Sequence, residues 1–132
     1  MIVGVGVDTV PVERIRRLLE KFGDRFVRRV YTEQEREYAL SRPRRAAEIL
    51  AGRFGVKEAV MKVLGTGKSS GVLWRDVETV RGEKGKPEVR LHGRARELAE
   101  TLGITDVHVS ITHDGGMAVA FVVAEDRREV TR

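Results

Sequence analysis

The first apolar positions of the chain alternate with glycine. "IVGVGVDTV" places Ile2, Val5 and Val7 around Gly4 and Gly6, and this pattern predicts a strand ending near Asp8 and Thr9. Pro11 suits the first turn of a following helix. From 12 to 22 the apolar residues Val12, Ile15, Leu19 and Phe22 share one helical face, while Arg14, Arg17 and Lys21 occupy the opposite one, and Gly23 ends the run. "TEQE" forms a capping box, with Thr32 as N-cap and Glu35 three residues on, and predicts a short helix to about Ser41. After Pro43 comes the longest helical pattern, over about 44–64. Apolar stretches near 76–81 and 88–91 flank "GEKGKP" and predict a hairpin with a loose loop. "RARELAETLG" predicts a helix closed by Gly103. "VHVSIT" and "MAVAFVVA" predict a second hairpin around "HDGG", the latter strand apolar enough for burial on both faces. No repeat or linker divides the chain: residues 1–126 read as one domain and 127–132 as a charged tail.

A chain of 132 residues with 41% hydrophobic composition has material for one compact core. The absence of cysteine excludes a disulfide framework and thiolate metal sites, and fits a cytoplasmic location. No signal-peptide pattern opens the chain, and no apolar run approaches the roughly 18 residues that a membrane span needs. Charge changes the picture more. Residues 11 to 45 hold eleven Arg and Lys against six Asp and Glu, whereas the remainder balances fourteen against fourteen. The whole excess of five therefore lies in one segment, as expected of a patch for an acidic partner.

"KVLGTGKSS" looks like the end of a phosphate-binding loop, but the spacing fails. The first glycine of a Walker A loop would fall at 62, which is lysine, and a helix precedes these glycines instead of following them. "GVGVDT" fails as a dinucleotide fingerprint because position 9 is threonine. "LGTG" reads instead as a helix end capped by Gly65 or Gly67. The helix before it is unusual. At about 100° per residue, Ile49, Leu50, Phe54, Val56, Val60, Met61, Val63 and Leu64 cover nearly half the circumference. Arg53 and Lys57 fall inside that apolar arc, with Glu58 and Lys62 together at its edge. A buried cation needs an anion, since desolvating an unpaired charge costs several kcal/mol. Either the pairing is internal, as in an ordinary Glu58–Lys62 i,i+4 pair, with the long side chains snorkelling to water, or the anion belongs to a ligand.

Three segments in order, "GVGVDTVPVERI", "LAGRFGVKEAVMKVLGTG" and "HVSITHDGGMAVA", resemble the holo-[acyl-carrier-protein] synthases, a family of bacterial 4′-phosphopantetheinyl transferases. The resemblance covers about residues 2 to 125. It implies an α+β fold, a mixed or mainly antiparallel sheet packed by helices, and a homotrimer with active sites between subunits. The implied reaction moves the phosphopantetheine arm of coenzyme A to a serine of apo-acyl carrier protein, releases adenosine 3′,5′-bisphosphate, and serves fatty acid biosynthesis. The implied magnesium ligands are Asp8 and Glu58. Lys62 joins Glu58 as a catalytic residue, and either Glu58 or a water on the metal takes the serine proton. Arg53, His113 and Thr112 go to the nucleotide, Gly65 and Thr66 approach the coenzyme, and Arg45 reaches a nucleotide held by a neighbouring subunit. His113 alternatively caps the "HDGG" turn. The cationic face of Arg14, Arg17 and Lys21, extended by Arg25, Arg28 and Arg29, is expected to meet the acidic carrier. A nucleic-acid module is the main rival, but aromatic residues are only 5% and offer no stacking platform. The other rival is a homologue that binds coenzyme A without transferring it.

Overall fold

The glycines near the start decide how closely the first strand approaches the long helix. In the computed structural model, which describes residues 1–65 and 70–128, strand β1 spans Ile2–Pro11 and helix α4 spans Ala46–Leu64. A Cβ at Gly6 would run into the carbonyl oxygen of Ala59, and one at Gly4 would lie 3.0 Å from Val63 Cγ1. Two glycines of α4 do the same from the other side: a Cβ at Gly55 would meet the Ala120 Cβ at 3.1 Å, and one at Gly52 would meet Ile111 at 2.9 Å. Strand and helix backbones therefore approach at a distance that a side chain would prevent. "GVGVD" is a packing motif.

Between these elements lie α1 (Val12–Phe22), α2 (Asp24–Val30) and α3 (Glu33–Leu40). After α4 come β2 (Val77–Arg81), β3 (Pro87–Leu91), α5 (Gly93–Thr101), β4 (Asp106–Asp114) and β5 (Met117–Glu125). The strands form an antiparallel sheet in the order β1-β5-β4 and a separate β2-β3 hairpin. The fold is α+β, with α4 laid across the inner face of the larger sheet. Along α4, Gly52 lies over Ile111 and His113 of β4, Gly55 over Val10 and Ala120, and Ala59 over Gly6 of β1. The helix thus crosses from one edge strand to the other.

The elements depart from expectation at three places. β1 runs to Pro11, which pairs with Met117 and is extended at φ −62° and ψ 127°; the helix begins one residue later. Proline at the end of an edge strand forfeits no ladder bond, and Val12 N–H donates to the Gly116 carbonyl instead. α2 was not indicated by the apolar pattern. Its seven residues are too few for periodicity, and an Asp24–Arg28 ion pair and the burial of Val27 and Val30 hold it. β5 is buried on one face only: Ala118, Ala120, Val122 and Ala124 point inward, whereas Phe121 is 42% exposed. Opposite it, Val5 and Val7 of β1 are 55% and 50% exposed. The outer face of this sheet is an apolar surface open to solvent.

The cation inside the apolar arc of α4 is explained internally. Lys57 is fully buried, and its Nζ donates to Glu35 Oε1 at 2.7 Å and to the carbonyls of Val77 and Trp74. The other Glu35 oxygen accepts from Thr79 N–H at 3.1 Å, and Glu35 also closes the expected capping box with Thr32. One buried pair therefore ties α3, α4 and β2 together.

Candidate functional site

Asp8 lies on the inner face of β1, between Gly6 and Val10, because side chains alternate along a strand. The close approach that Gly6 allows brings it to the flank of α4 that carries Glu58 and Lys62. Lys62 Nζ donates to Asp8 Oδ1 at 2.9 Å and to the Val7 carbonyl at 3.1 Å. Lys62 pairs with Asp8, across 54 residues, and not with Glu58 as the helix spacing suggested. The Asp8 side chain is only 14% exposed, that of Lys62 56%. Burial, then the Asp8 carboxylate, pushes the Glu58 carboxyl above its ordinary range; Arg14 and Lys62 pull the other way, and a hydrogen bond with Asp8 adds to the rise. Two carboxyls in contact at the edge of a buried helix, with one exposed ammonium beside them, make a site for a cation or for phosphoryl oxygens.

The donor set fits magnesium. No third His, Cys, Asp or Glu joins the pair among the described residues, and magnesium ordinarily takes one or two carboxylates while substrate phosphates and water complete its octahedron. The site depends on Gly6. Gly6→Ala is expected to push β1 off α4, lowering stability by about 1–3 kcal/mol and impairing activity more than stability alone explains. A urea melt unchanged from wild type would contradict the close approach.

A second group of predicted residues gathers elsewhere. Arg45, Arg53 and His113 line a cleft of about 260 Å³, together with Tyr38, Arg81 and Pro87. Arg45 stands just before α4 and reaches Glu48 at 3.6 Å. Arg53 is buried in the helix, and its Nε has no hydrogen-bond partner among the described residues. Burial lowers the Arg53 pKa, partly offset by Glu35 and Tyr38. His113 Nε2 lies 2.9 Å from the Glu48 carbonyl and so donates to it, leaving Nδ1 for another partner. Its hydrogen bond goes to the first turn of α4 and does not cap the hairpin turn. Thr112, next along β4, points to the opposite sheet face and does not line this cleft. Gly65 caps α4 in the left-handed conformation, with φ 71°. Thr66 lies outside the described residues.

The carboxyl pair and the cleft occupy opposite flanks of α4. Asp8 pairs with Ala120, which pairs with Ile111, and His113 lies two residues further along. Strand spacing and rise put the Asp8 and His113 backbones roughly 12 Å apart, with α4 between them. Glu58 and Arg53 differ by five residues, hence by about 140° around that helix.

A third feature is a groove of about 610 Å³ between α1 and α2, with Leu18, Phe22 and Phe26 as apolar lining and Arg25, Arg28, Arg29 and Arg75 around them. Arg17 and Lys21 are exposed on α1. Arg14 lies over the Phe54 ring at 5.3 Å and acts electrostatically on Glu58, so it stands between the cationic surface and the carboxyl pair. Tyr38, Arg81 and the apolar lining of the groove were missed by sequence reasoning. Arg81 and Tyr38 carry no local pattern, and the groove needs α2.

The model of the 4′-phosphopantetheinyl transferase superfamily matches residues 4–122. The chain belongs to that family. Among its relatives, a holo-[acyl-carrier-protein] synthase of Desulfovibrio desulfuricans is 49% identical over 125 residues, covering 95% of this chain and 98% of the relative. One of Solibacter usitatus is 44% identical over 126 residues, covering 96% and 100%. The chain is accordingly a phosphopantetheinyl transferase of the holo-[acyl-carrier-protein] synthase type. The crystal structure of the Neisseria meningitidis synthase superposes with a TM-score of 0.85 at 36% identity, covering 95% of this chain and 99% of that one. The Bacillus anthracis synthase, solved in complex with CoA (3′,5′-ADP), gives 0.76 at 37% identity, covering 96% and 98%.

Proposed function

We infer that this chain transfers 4′-phosphopantetheine from coenzyme A to a serine of an apo-acyl carrier protein, with magnesium held by Asp8 and Glu58. The observation that carries this reading is the contact of the two carboxyls beside Lys62, in a family of phosphopantetheinyl transferases. The serine oxygen forms a bond to the phosphorus that bears the pantetheine arm, and the bond from that phosphorus to the bridging pyrophosphate oxygen breaks. Adenosine 3′,5′-bisphosphate leaves. Magnesium, when bound, supplies positive charge to the pyrophosphate oxygens. Lys62, an exposed point charge, neutralises the departing phosphate. Glu58 would take the serine proton, directly or through a water.

Arg45, Arg53 and His113 would hold the nucleotide, yet they lie across α4 from the carboxyl pair. An assembly resolves this. The open apolar sheet face of Val5, Val7 and Phe121 suits burial against further copies, and a trimer would set the cleft of one subunit beside the carboxyl pair of the next. Thr112, on that outer sheet face, would then reach the shared site, as would Gly65 at the end of α4. Mixing Asp8→Ala subunits with Arg53→Gln subunits should restore part of the activity that each lacks alone. No recovery on subunit exchange would mean that each chain carries a whole site.

The α1–α2 groove suits the carrier: an apolar floor for a helix, with Arg25, Arg28, Arg29 and the neighbouring Arg14, Arg17 and Lys21 for acidic side chains. Arg14→Glu with Arg17→Glu should raise the KM for carrier at least about ten-fold and leave coenzyme A binding intact, with the wild-type carrier KM rising with salt. Equal losses for both substrates would instead indicate unfolding. Release of adenosine 3′,5′-bisphosphate tests the whole reading. One equivalent per carrier modified is expected, with none in EDTA or without carrier. Release without carrier would make water the nucleophile.

A further inference from the structure

Three guanidinium groups converge on one phenol at the wall of the cleft. Arg42, Arg53 and Arg81 place their Cζ atoms 4.2, 4.6 and 5.3 Å from the centre of the Tyr38 ring. Arg81 Nη1 also donates a short hydrogen bond to the Tyr38 hydroxyl. Its other terminal nitrogen lies where a Cβ at residue 85 would stand, so Gly85, with φ +74°, makes room for it. Neither Arg53 nor Arg81 forms an ion pair with a carboxylate among the described residues, and Arg53 Nε is buried without a partner.

Cations packed this closely repel one another. The ring face offsets that repulsion by about 0.5–2 kcal/mol per guanidinium. Burial raises the Tyr38 pKa, but the Arg81 hydrogen bond and the charges of Arg81, Arg42 and Arg53 outweigh it, and the phenol ends below its ordinary value. The cluster is thus held without an anion and is ready for one. Coenzyme A carries a pyrophosphate and a separate 3′-phosphate. Its pyrophosphate belongs at Asp8, Glu58 and Lys62, which leaves the 3′-phosphate, a monoester with a second pKa near about 6 and so mostly a dianion at neutral pH.

We propose that Tyr38 is a positioning residue whose ring and hydroxyl hold Arg53 and Arg81 in the cleft to receive the 3′-phosphate monoester, and that this arrangement sets a preference for coenzyme A over 3′-dephospho-coenzyme A. The proposal rests on the transfer reaction inferred above. Two charge-assisted hydrogen bonds to a dianion are worth enough to make that preference at least about ten-fold. Tyr38→Leu releases both arginines, Arg81→Gln removes one of them, and Tyr38→Phe keeps the ring but loses the hydroxyl.

The test compares KM and kcat for the two coenzymes with magnesium and an apo-carrier, in wild type and these three variants. Tyr38→Leu and Arg81→Gln should each shrink the preference about ten-fold, through the KM for coenzyme A and not through kcat. Tyr38→Phe should retain most of it. A preference unchanged in both Tyr38→Leu and Arg81→Gln overturns the proposal, as does a parallel rise in KM for both coenzymes. If Tyr38→Leu does not fold, Arg81→Gln, an exposed side chain, decides alone. Wild-type protein that transfers from both coenzymes equally overturns this proposal and leaves the transfer reaction standing. Wild-type protein that transfers from neither overturns the reaction itself, and the proposal with it.

Discussion

Asp8→Ala and Glu58→Ala are each expected to lower transfer about 10³-fold while leaving a cooperative melt. The two residues hold charge in the same small volume, and burial and mutual repulsion already push the Glu58 carboxyl upward. Removing Glu58 relieves that repulsion, and removing Asp8 also gives up only its pair with the half-exposed Lys62, so stability should change little. The reaction, however, loses half of the protein's contribution to the metal. Saturating magnesium should not rescue Glu58→Ala if that carboxylate also takes the serine proton. A variant with wild-type rate and unchanged dependence on magnesium would show that the pair does not hold the metal. The neighbouring Lys62→Ala separates the roles further. It leaves Asp8 without its 2.9 Å partner and is expected to lower kcat with little change in the magnesium requirement.

Lys57→Met should have the largest effect on stability. Lys57 and Glu35 are both wholly buried and meet at 2.7 Å. Removing the ammonium leaves Glu35 as a buried anion beside two carbonyls that have lost their donor, a change that costs about 3–5 kcal/mol. Against a typical total of about 5–15 kcal/mol, this brings the protein close to unfolding at ordinary temperature. Glu35→Gln should cost less, because Lys57 keeps the Trp74 and Val77 carbonyls as acceptors, although the single amide oxygen can no longer serve both Thr79 N–H and Thr32 N–H. Urea melts of the two variants check the order. Equal stability of Lys57→Met and wild type would contradict the internal pairing. Activity per folded molecule should be unchanged in Lys57→Met, in contrast to its neighbour Glu58. On the proposed reaction, the two adjacent charges in "VKEA" have separate duties, one structural and one chemical.

That contrast marks how far the sequence could be read. Helical spacing placed Lys57 in an apolar arc and required an anion for it, but a one-dimensional pattern does not say that the anion is Glu35, 22 residues away. The same spacing suggested a Glu58–Lys62 pair, whereas the glycines of β1 bring Asp8 close enough to take Lys62 instead. The capping box at Thr32, the hairpins and the α4 end at Gly65 were legible, because each rests on local chemistry. Helical spacing already set Arg53 and Glu58 apart, but the roles of Asp8, Glu58, Arg53 and His113 entered through family resemblance, and the fold brings them together in two groups, not one. Tyr38 and Arg81 had no signal, since 43 residues separate them and only the packing of the β2–β3 hairpin against α3 and α4 joins them. The α1–α2 groove was hidden for a similar reason: α2 is seven residues long, and Gly23, which ends α1 as its position suggests, is also the N-cap of α2.

The most direct measurement is the intact mass of an apo-acyl carrier protein after incubation with this protein, coenzyme A and magnesium. The account predicts a gain equal to one phosphopantetheine on the carrier serine, absent in EDTA and absent with Asp8→Ala. A carrier mass unchanged across several acidic carriers, with wild-type protein that is folded and binds coenzyme A, would contradict it.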